Sequence, residues 1–225
     1  MRSAAENPVD DRTTKARIRD AAIECFAAEG VATTSIRTIA TAAGVSAGLV
    51  IHHFGSKDDL RVACDEHIAG IIRSVKGSAM ASGGAFDVTA AFRTVGDIPA
   101  AKYLARSLID ASPHVAELVD EIVGDAVEYL AIGVDTGMVK PSEYDRERAA
   151  ILTIWGLGSL VLHEHLERLI GVDITADIST NPTAAAAYMG PILETYGQGL
   201  LTEKTIELMR EAFVSPQPEE TKESA

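Results

Sequence analysis

Between residues 30 and 56 the chain repeats one local pattern three times: a glycine that stops a helix, then hydroxyl side chains that start the next. Gly30 is followed by Thr33, Thr34 and Ser35, Gly44 by Ser46, and Gly55 by Ser56. Glycine takes the backbone of a helix C-terminus at little cost, and a Ser or Thr oxygen accepts from the orphan N–H groups of the following helix. The pattern predicts four helices in close succession. The first starts near Thr13–Thr14 and runs to about Glu29, with Ile18, Ala22, Cys25 and Phe26 on its apolar face. The second turns Ile36, Ile39, Ala40 and Ala43 inward, and the third runs from Ser46 to about Phe54. The fourth places Asp58 and Asp59 in its first turn, where carboxylates suit the helix dipole. Leu60, Cys64, Ile68, Ile71, Ile72 and Val75 continue its buried stripe.

Beyond this segment the Gly/Ser/Ala-rich patch at 77–85 is the natural joint between domains. Helical periodicity then places elements at about 86–94, 98–111, 114–136, 143–170, 182–201 and 203–213, with Gly171–Asn181 a loop. Residues 1–11 are polar and residues 215–225 rich in Pro and Glu, so both ends are expected to be disordered. Aromatic residues make up only 5% of a chain that is 47% apolar, which favours helices packed through small side chains over a β sandwich. The expected fold is all-α, with nine or ten helices.

A net charge of −13 argues at first against a nucleic-acid partner, but its distribution does not. Residues 12–64 hold seven Lys/Arg against five Asp/Glu, with His52 and His53 in addition, whereas residues 65–225 hold twelve against twenty-five. An acidic body joined to a locally basic head fits a DNA-reading segment kept electrostatically apart from the rest. No apolar window reaches the roughly 18 residues of a membrane span, and no apolar leader segment opens the chain. The expected location is cytoplasmic. Cys25 and Cys64 have no metal or redox spacing and read as small core residues.

Two short helices joined by a tight turn need a small residue at their closest approach and a glycine at the turn. Ala40 and Gly44 supply them, and Ile36, Ile39, Ala43, Val45 and Val50 fill the shared core. The arrangement is a helix-turn-helix at about residues 34–54, whose second helix docks in the DNA major groove. The surrounding segment, TTKARIRDAAIECFAAEGVATTSIRTIATAAGVSAGLVIHHFGSKDDL, resembles the N-terminal domain of TetR-family regulators. An AAxxxFxxxG end to the first helix, IAxxAGVS through the turn, and an HF-xSK-xxL close appear in order and spacing over about residues 13–68.

The resemblance implies a three-helix helix-turn-helix head over residues 12–56 and a helical effector-binding and dimerisation domain over 57–214. It implies that Thr34 caps the second helix and meets a phosphate, with Ser35 beside it, and that Arg37 reaches the DNA backbone or a groove edge. Ser46, Ala47, Gly48 and Leu49 face base edges, His52 and His53 face the backbone, and Lys57 binds phosphate. The family often has Thr where Leu49 stands and Tyr where Ile51 stands. An apolar Leu49 can meet only a thymine methyl, and Ile51 lacks the phenol that would meet phosphate.

A single recognition helix gives too few contacts, so a two-fold dimer is expected, with its recognition helices roughly 34–36 Å apart. Gly158, Leu162 and Leu166 on one long helix, and Ile192, Leu193, Tyr196 and Leu200 on the next, line the expected dimer face. The scarce aromatics Phe86, Phe92, Tyr103, Tyr129 and Trp155, with Ser107 or His114 as polar groups, are candidates for the effector wall. Each is also an ordinary candidate for plain core. His163 and Glu167 share a helix face, but two ligands without a third do not make a metal site, and no cofactor is expected. The HHFGSK segment and PILETYGQGLL resemble regulators placed beside drug-efflux transporters. The expected function is an operator-binding repressor, not an enzyme, released by a small hydrophobic effector. A regulator without an effector, or an activator, is the alternative.

Overall fold

The computed structural model describes residues 8–83, 99–110, 113–175 and 181–213. Among them are ten helices and no strand: α1 (Pro8–Glu29), α2 (Ile36–Ala42), α3 (Ala47–Phe54), α4 (Lys57–Ala81), α5 (Ala100–Ile109), α6 (Pro113–Asp135), α7 (Asp145–Val161), α8 (His163–Ile170), α9 (Pro182–Gln198) and α10 (Glu203–Phe213). The helix expected at 86–94, and with it Phe86 and Phe92, lies outside the described residues.

Four boundaries differ from expectation. Helix α1 begins at Pro8, ahead of the hydroxyls at Thr13 and Thr14, so the polar start is partly helical. Helix α4 continues through the small residues at 77–81 and ends inside the expected patch, at Ser82 and Gly83, so one helix passes from head to body before the break. The single helix expected at 143–170 is two, α7 and α8, whose axes diverge by 76° at Leu162. Gly156, Gly158 and Ser159, whose hydroxyl donates to the Trp155 carbonyl at 2.9 Å, weaken the helix just before that bend. Helix α9 ends at Gln198, where Gly199 takes φ +78°.

One apolar core runs from head to body. Ile18, Ile23 and Phe26 of α1, Ile39 of α2, Val50 of α3 and Leu60, Cys64 and Ile68 of α4 are buried with Tyr103, Leu104, Leu118 and Leu157. Helix α4 is tied to its neighbours at three heights. Near its start, the Tyr103 hydroxyl donates to Asp65 Oδ1 at 2.6 Å, and Arg61 Nη1 donates to Asp110 Oδ2 at 2.9 Å. Midway, Arg73 pairs with Glu121 and Asp125 of α6, both at 3.1 Å. At its far end, Thr136 Oγ1 donates to the Met80 carbonyl at 2.7 Å. A Cβ on Gly133 would lie 2.6 Å from Val139 Cγ2 and 2.8 Å from Met80 Sδ, so only glycine fits there.

This packing corrects two expected pocket residues. Tyr103 and Ser107 are 0% and 1% exposed, so no water-sized space opens against either. The Tyr103 phenol is committed to Asp65, and Ser107 is buried beside it. Burial raises the Asp65 carboxyl above its usual range, while the Tyr103 bond and the Arg61 charge pull it back. Its folded value being raised, Asp65 favours the fold most below the ordinary carboxylate pKa and less as pH rises through its raised value. Tyr103→Phe removes the donor from the buried carboxylate. We expect it to cost about 1–3 kcal/mol at neutral pH, and less in acid where Asp65 is protonated. Urea unfolding at the two pH values measures this, and an unchanged midpoint at neutral pH would show the bond to be inconsequential.

Candidate nucleic-acid interface

The α2–α3 unit is built from short-range bonds. Ser35 Oγ accepts from the Thr38 N–H at 3.1 Å to cap α2, and Ser46 Oγ accepts from the Leu49 N–H at 3.2 Å to cap α3. Between them Gly44 takes φ +65°, and the Val45 N–H donates to the Ala40 carbonyl at 2.9 Å. A Cβ at Gly44 would meet nothing within 4 Å, so the left-handed backbone, not crowding, selects glycine. Ile39, Ala40, Ala43, Val50 and Phe54 point into the core and fix the two helices against α1 and α4. Ser56 closes the unit, accepting from the Asp59 N–H at 3.0 Å and donating to Asp59 Oδ2 at 2.6 Å.

What remains outward on α3 is a single face at helical spacing: Gly48, Ile51, His52 and the terminal Gly55, with Ser46 ahead of them. Of the residues expected to meet bases, Ser46 and Gly48 are exposed, while Ala47 and Leu49 are half-buried, Ala47 against the core. Ile51, which the expected contact set omits, is 44% exposed on this face. Its place three residues after Gly48 and one before His52 was the available signal. His52 is exposed and His53 half-buried, with their rings edge to face at 5.6 Å. Ser35, the cap of the neighbouring helix, and Arg37 on it are exposed, and Arg37 makes no ion pair among the described residues.

Two expected phosphate ligands are placed differently. Thr34 is 1% exposed, and its hydroxyl donates to the Gly30 carbonyl at 2.7 Å. It neither caps α2 nor faces solvent, because its side chain closes the end of α1; the cap falls one residue later, on Ser35. Lys57 Nζ donates to the carbonyls of Val31 at 2.9 Å and Thr34 at 3.2 Å. Its charge holds the α1–α2 loop from 26 and 23 residues away.

In the body, the expected dimer residues Leu162, Leu193, Tyr196 and Leu200 are 55%, 62%, 58% and 86% exposed, and Gly158, Leu166 and Ile192 are half-buried. Neither α8 nor α9 buries a single residue. Trp155, expected in the effector wall, is 60% exposed and shares a cleft of about 290 Å³ with Ile192 and Tyr196 of α9. It lies beside the residues expected at the dimer face and not against an enclosed wall. His114 is half-exposed, 3.4 Å from Glu117, and Tyr129 is half-buried, its phenol pushed up by burial.

The Ser46 cap is the most local support of the outward face. We expect Ser46→Ala to cost about 0.5–2 kcal/mol and to speed amide exchange at Leu49. Unchanged exchange there would show that the cap does not hold α3.

Comparison with known proteins agrees with this geometry. The family model described as bacterial regulatory proteins, tetR family, matches residues 18–64, and that of the tetracyclin repressor-like C-terminal domain matches residues 97–202. The HTH-type transcriptional regulatory protein RaaS of Mycobacterium tuberculosis (strain ATCC 25618 / H37Rv) is 39% identical over 227 residues, spanning 96% of this chain and 95% of that protein. Among solved structures, a TetR transcriptional regulator from Chloroflexus aurantiacus J-10-FL aligns with a TM-score of 0.55 at 22% identity, covering 84% of this chain and 97% of its own. The regulator FadR from Bacillus subtilis aligns with a TM-score of 0.54 at 16% identity, covering 83% and 99%. With a capped helix-turn-helix, an all-helical body and a relative matched end to end, the chain belongs to the TetR family of bacterial transcriptional regulators.

Proposed function

We propose that this helix-turn-helix regulator is a homodimeric, sequence-specific repressor that a small apolar effector releases from its operator. The observation that carries the reading is the outward face of α3, where Gly48, Ile51 and His52 are exposed behind the capping Ser46 on a helix fixed at both ends. In the major groove Gly48 admits close approach, Ile51 packs on thymine methyls, and His52 and Ser46 offer hydrogen bonds. Ser35 and Arg37 flank this strip and contact phosphate, while Lys57 acts indirectly by holding the loop before α2. Phosphate contacts position the head and base contacts choose the sequence.

The dimer reading rests on α7–α9, where Ile154, Trp155, Leu162, Leu169, Leu193 and Tyr196 are exposed among the described residues. The effector reading draws support from the family body and from the FadR relative of Bacillus subtilis, whose structure is a complex with stearoyl-CoA. Resemblance to regulators beside efflux transporters makes such a promoter the first to test. Release requires the effector to bind the DNA-incompetent arrangement more tightly than the competent one.

A gel shift on DNA flanking the protein's own gene, repeated with apolar ligands, tests the central reading; no retarded band at low salt would overturn it. Arg37→Ala should weaken binding alike on operator and unrelated DNA and flatten the log affinity–log salt slope by about one. A loss confined to the operator would instead make Arg37 a base reader. Leu193→Glu places a charge on the exposed apolar face and should yield monomers in sedimentation, with operator affinity lost. A dimer of unchanged stability would move the interface elsewhere.

A further inference from the structure

A second polar feature lies where head meets body. The end of α1, one face of α5 and the α7–α8 bend enclose a cleft of about 380 Å³. Its floor is apolar: Ala27 and Ala28 come from α1, and Ala105 and Ile109 from α5. Its rim is cationic. Lys102 and Arg106, one helical turn apart on α5, are exposed, and neither forms a hydrogen bond or ion pair among the described residues. His163 opens α8 with its Nδ1 shielded from solvent yet without a hydrogen-bond partner.

Two acids stand near these groups. Glu164 lines the cleft, and Asp173 lies 3.8 Å from His163 Nδ1, beyond hydrogen-bond range. Asp173 is already engaged, accepting from the Thr175 N–H at 2.8 Å and hydroxyl at 2.7 Å. It accepts no hydrogen bond from the two long cations on α5, although against the effect of burial the Lys102 charge, with that of His163, helps the Thr175 bonds hold its carboxyl low. An apolar floor beneath an unpaired guanidinium and ammonium suits a planar carboxylate on a compact apolar body. The volume is at the small end for organic ligands.

We infer that this cleft binds a small organic carboxylate. Arg106 grips the carboxylate, Lys102 adds charge, and the apolar part rests on Ala28 and Ile109. Because the ligand touches α1 of the head and α5 and α8 of the body at once, its affinity depends on how the head is set. By reciprocity, operator affinity then depends on the ligand. This coupling rests on the DNA-binding reading above; the binding itself does not.

Sodium benzoate and its neutral near-isostere benzamide are the probes, titrated calorimetrically into the full chain without DNA and followed by methyl NMR. Benzoate should bind and shift the methyl signals of Ala28 and Ile109, with benzamide at least tenfold weaker. Lys102→Gln/Arg106→Gln, both exposed positions, should keep the wild-type melting temperature and weaken benzoate at least tenfold. Ala28→Met, which fills the floor without altering charge, should weaken it too. No benzoate binding, equal binding of benzamide, full affinity in the double variant, or shifts confined to other methyls would each overturn the site. Benzoate binding that leaves operator affinity unchanged would overturn the coupling alone.

Discussion

A phenol donating to a carboxylate in the interior fixes how the DNA-facing end of this molecule is held. Tyr103 on α5 and Asp65 on α4 meet at 2.6 Å inside the continuous core, with Arg61 and Asp110 extending the same contact. Apolar side chains of equal volume would fill the space as well, and buried ionic groups often contribute little net stability. What these bonds add is direction: they fix the rotation of α4 about its own axis. Helices α2 and α3 pack against α1 and α4, so that rotation also sets where Gly48, Ile51 and His52 point.

The head was largely legible from sequence because its determinants are local. Gly30, Gly44 and Gly55 all take positive φ, and Ser35, Ser46 and Ser56 all cap a helix within three residues of themselves. Partners far apart in the chain were not legible. Thr33, Thr34 and Ser35 offer the same hydroxyl in a row; only the packing that draws Thr34 onto the end of α1 leaves the cap to Ser35. Lys57 has the form of a surface phosphate ligand until the carbonyls of Val31 and Thr34 come within reach. Tyr103 is chemically equal to any pocket aromatic until Asp65, 38 residues earlier, claims its hydroxyl. The bend at Leu162 has no proline to announce it; two glycines and a serine only make it cheap.

The same division explains how an acidic chain presents a face suited to DNA. The segment 65–225 carries the whole excess of negative charge, whereas 12–64 is slightly basic. Long-range repulsion between an acidic body and a polyanion disfavours approach in any orientation that does not lead with the head. Phosphate attraction is then modest, and the outward face of α3, with glycine and isoleucine at its centre, asks for fit more than for charge.

The glycine at position 133 gives α4 the mechanics of a lever. At Met80 the helix is pressed against a backbone with no room for a Cβ and bonded to Thr136, so that end is a fulcrum. The 23 residues from Met80 back to Lys57 make an arm of about 35 Å at 1.5 Å per residue. A tilt of about 5° at the fulcrum would carry the Lys57 end through roughly 3 Å, close to the ~3.4 Å rise of one base step. Asp65 sits about 22 Å along the same arm, where that tilt amounts to about 2 Å, so a shift of nearly one base step at the far end requires Asp65 to part from Tyr103 or α5 to travel with it.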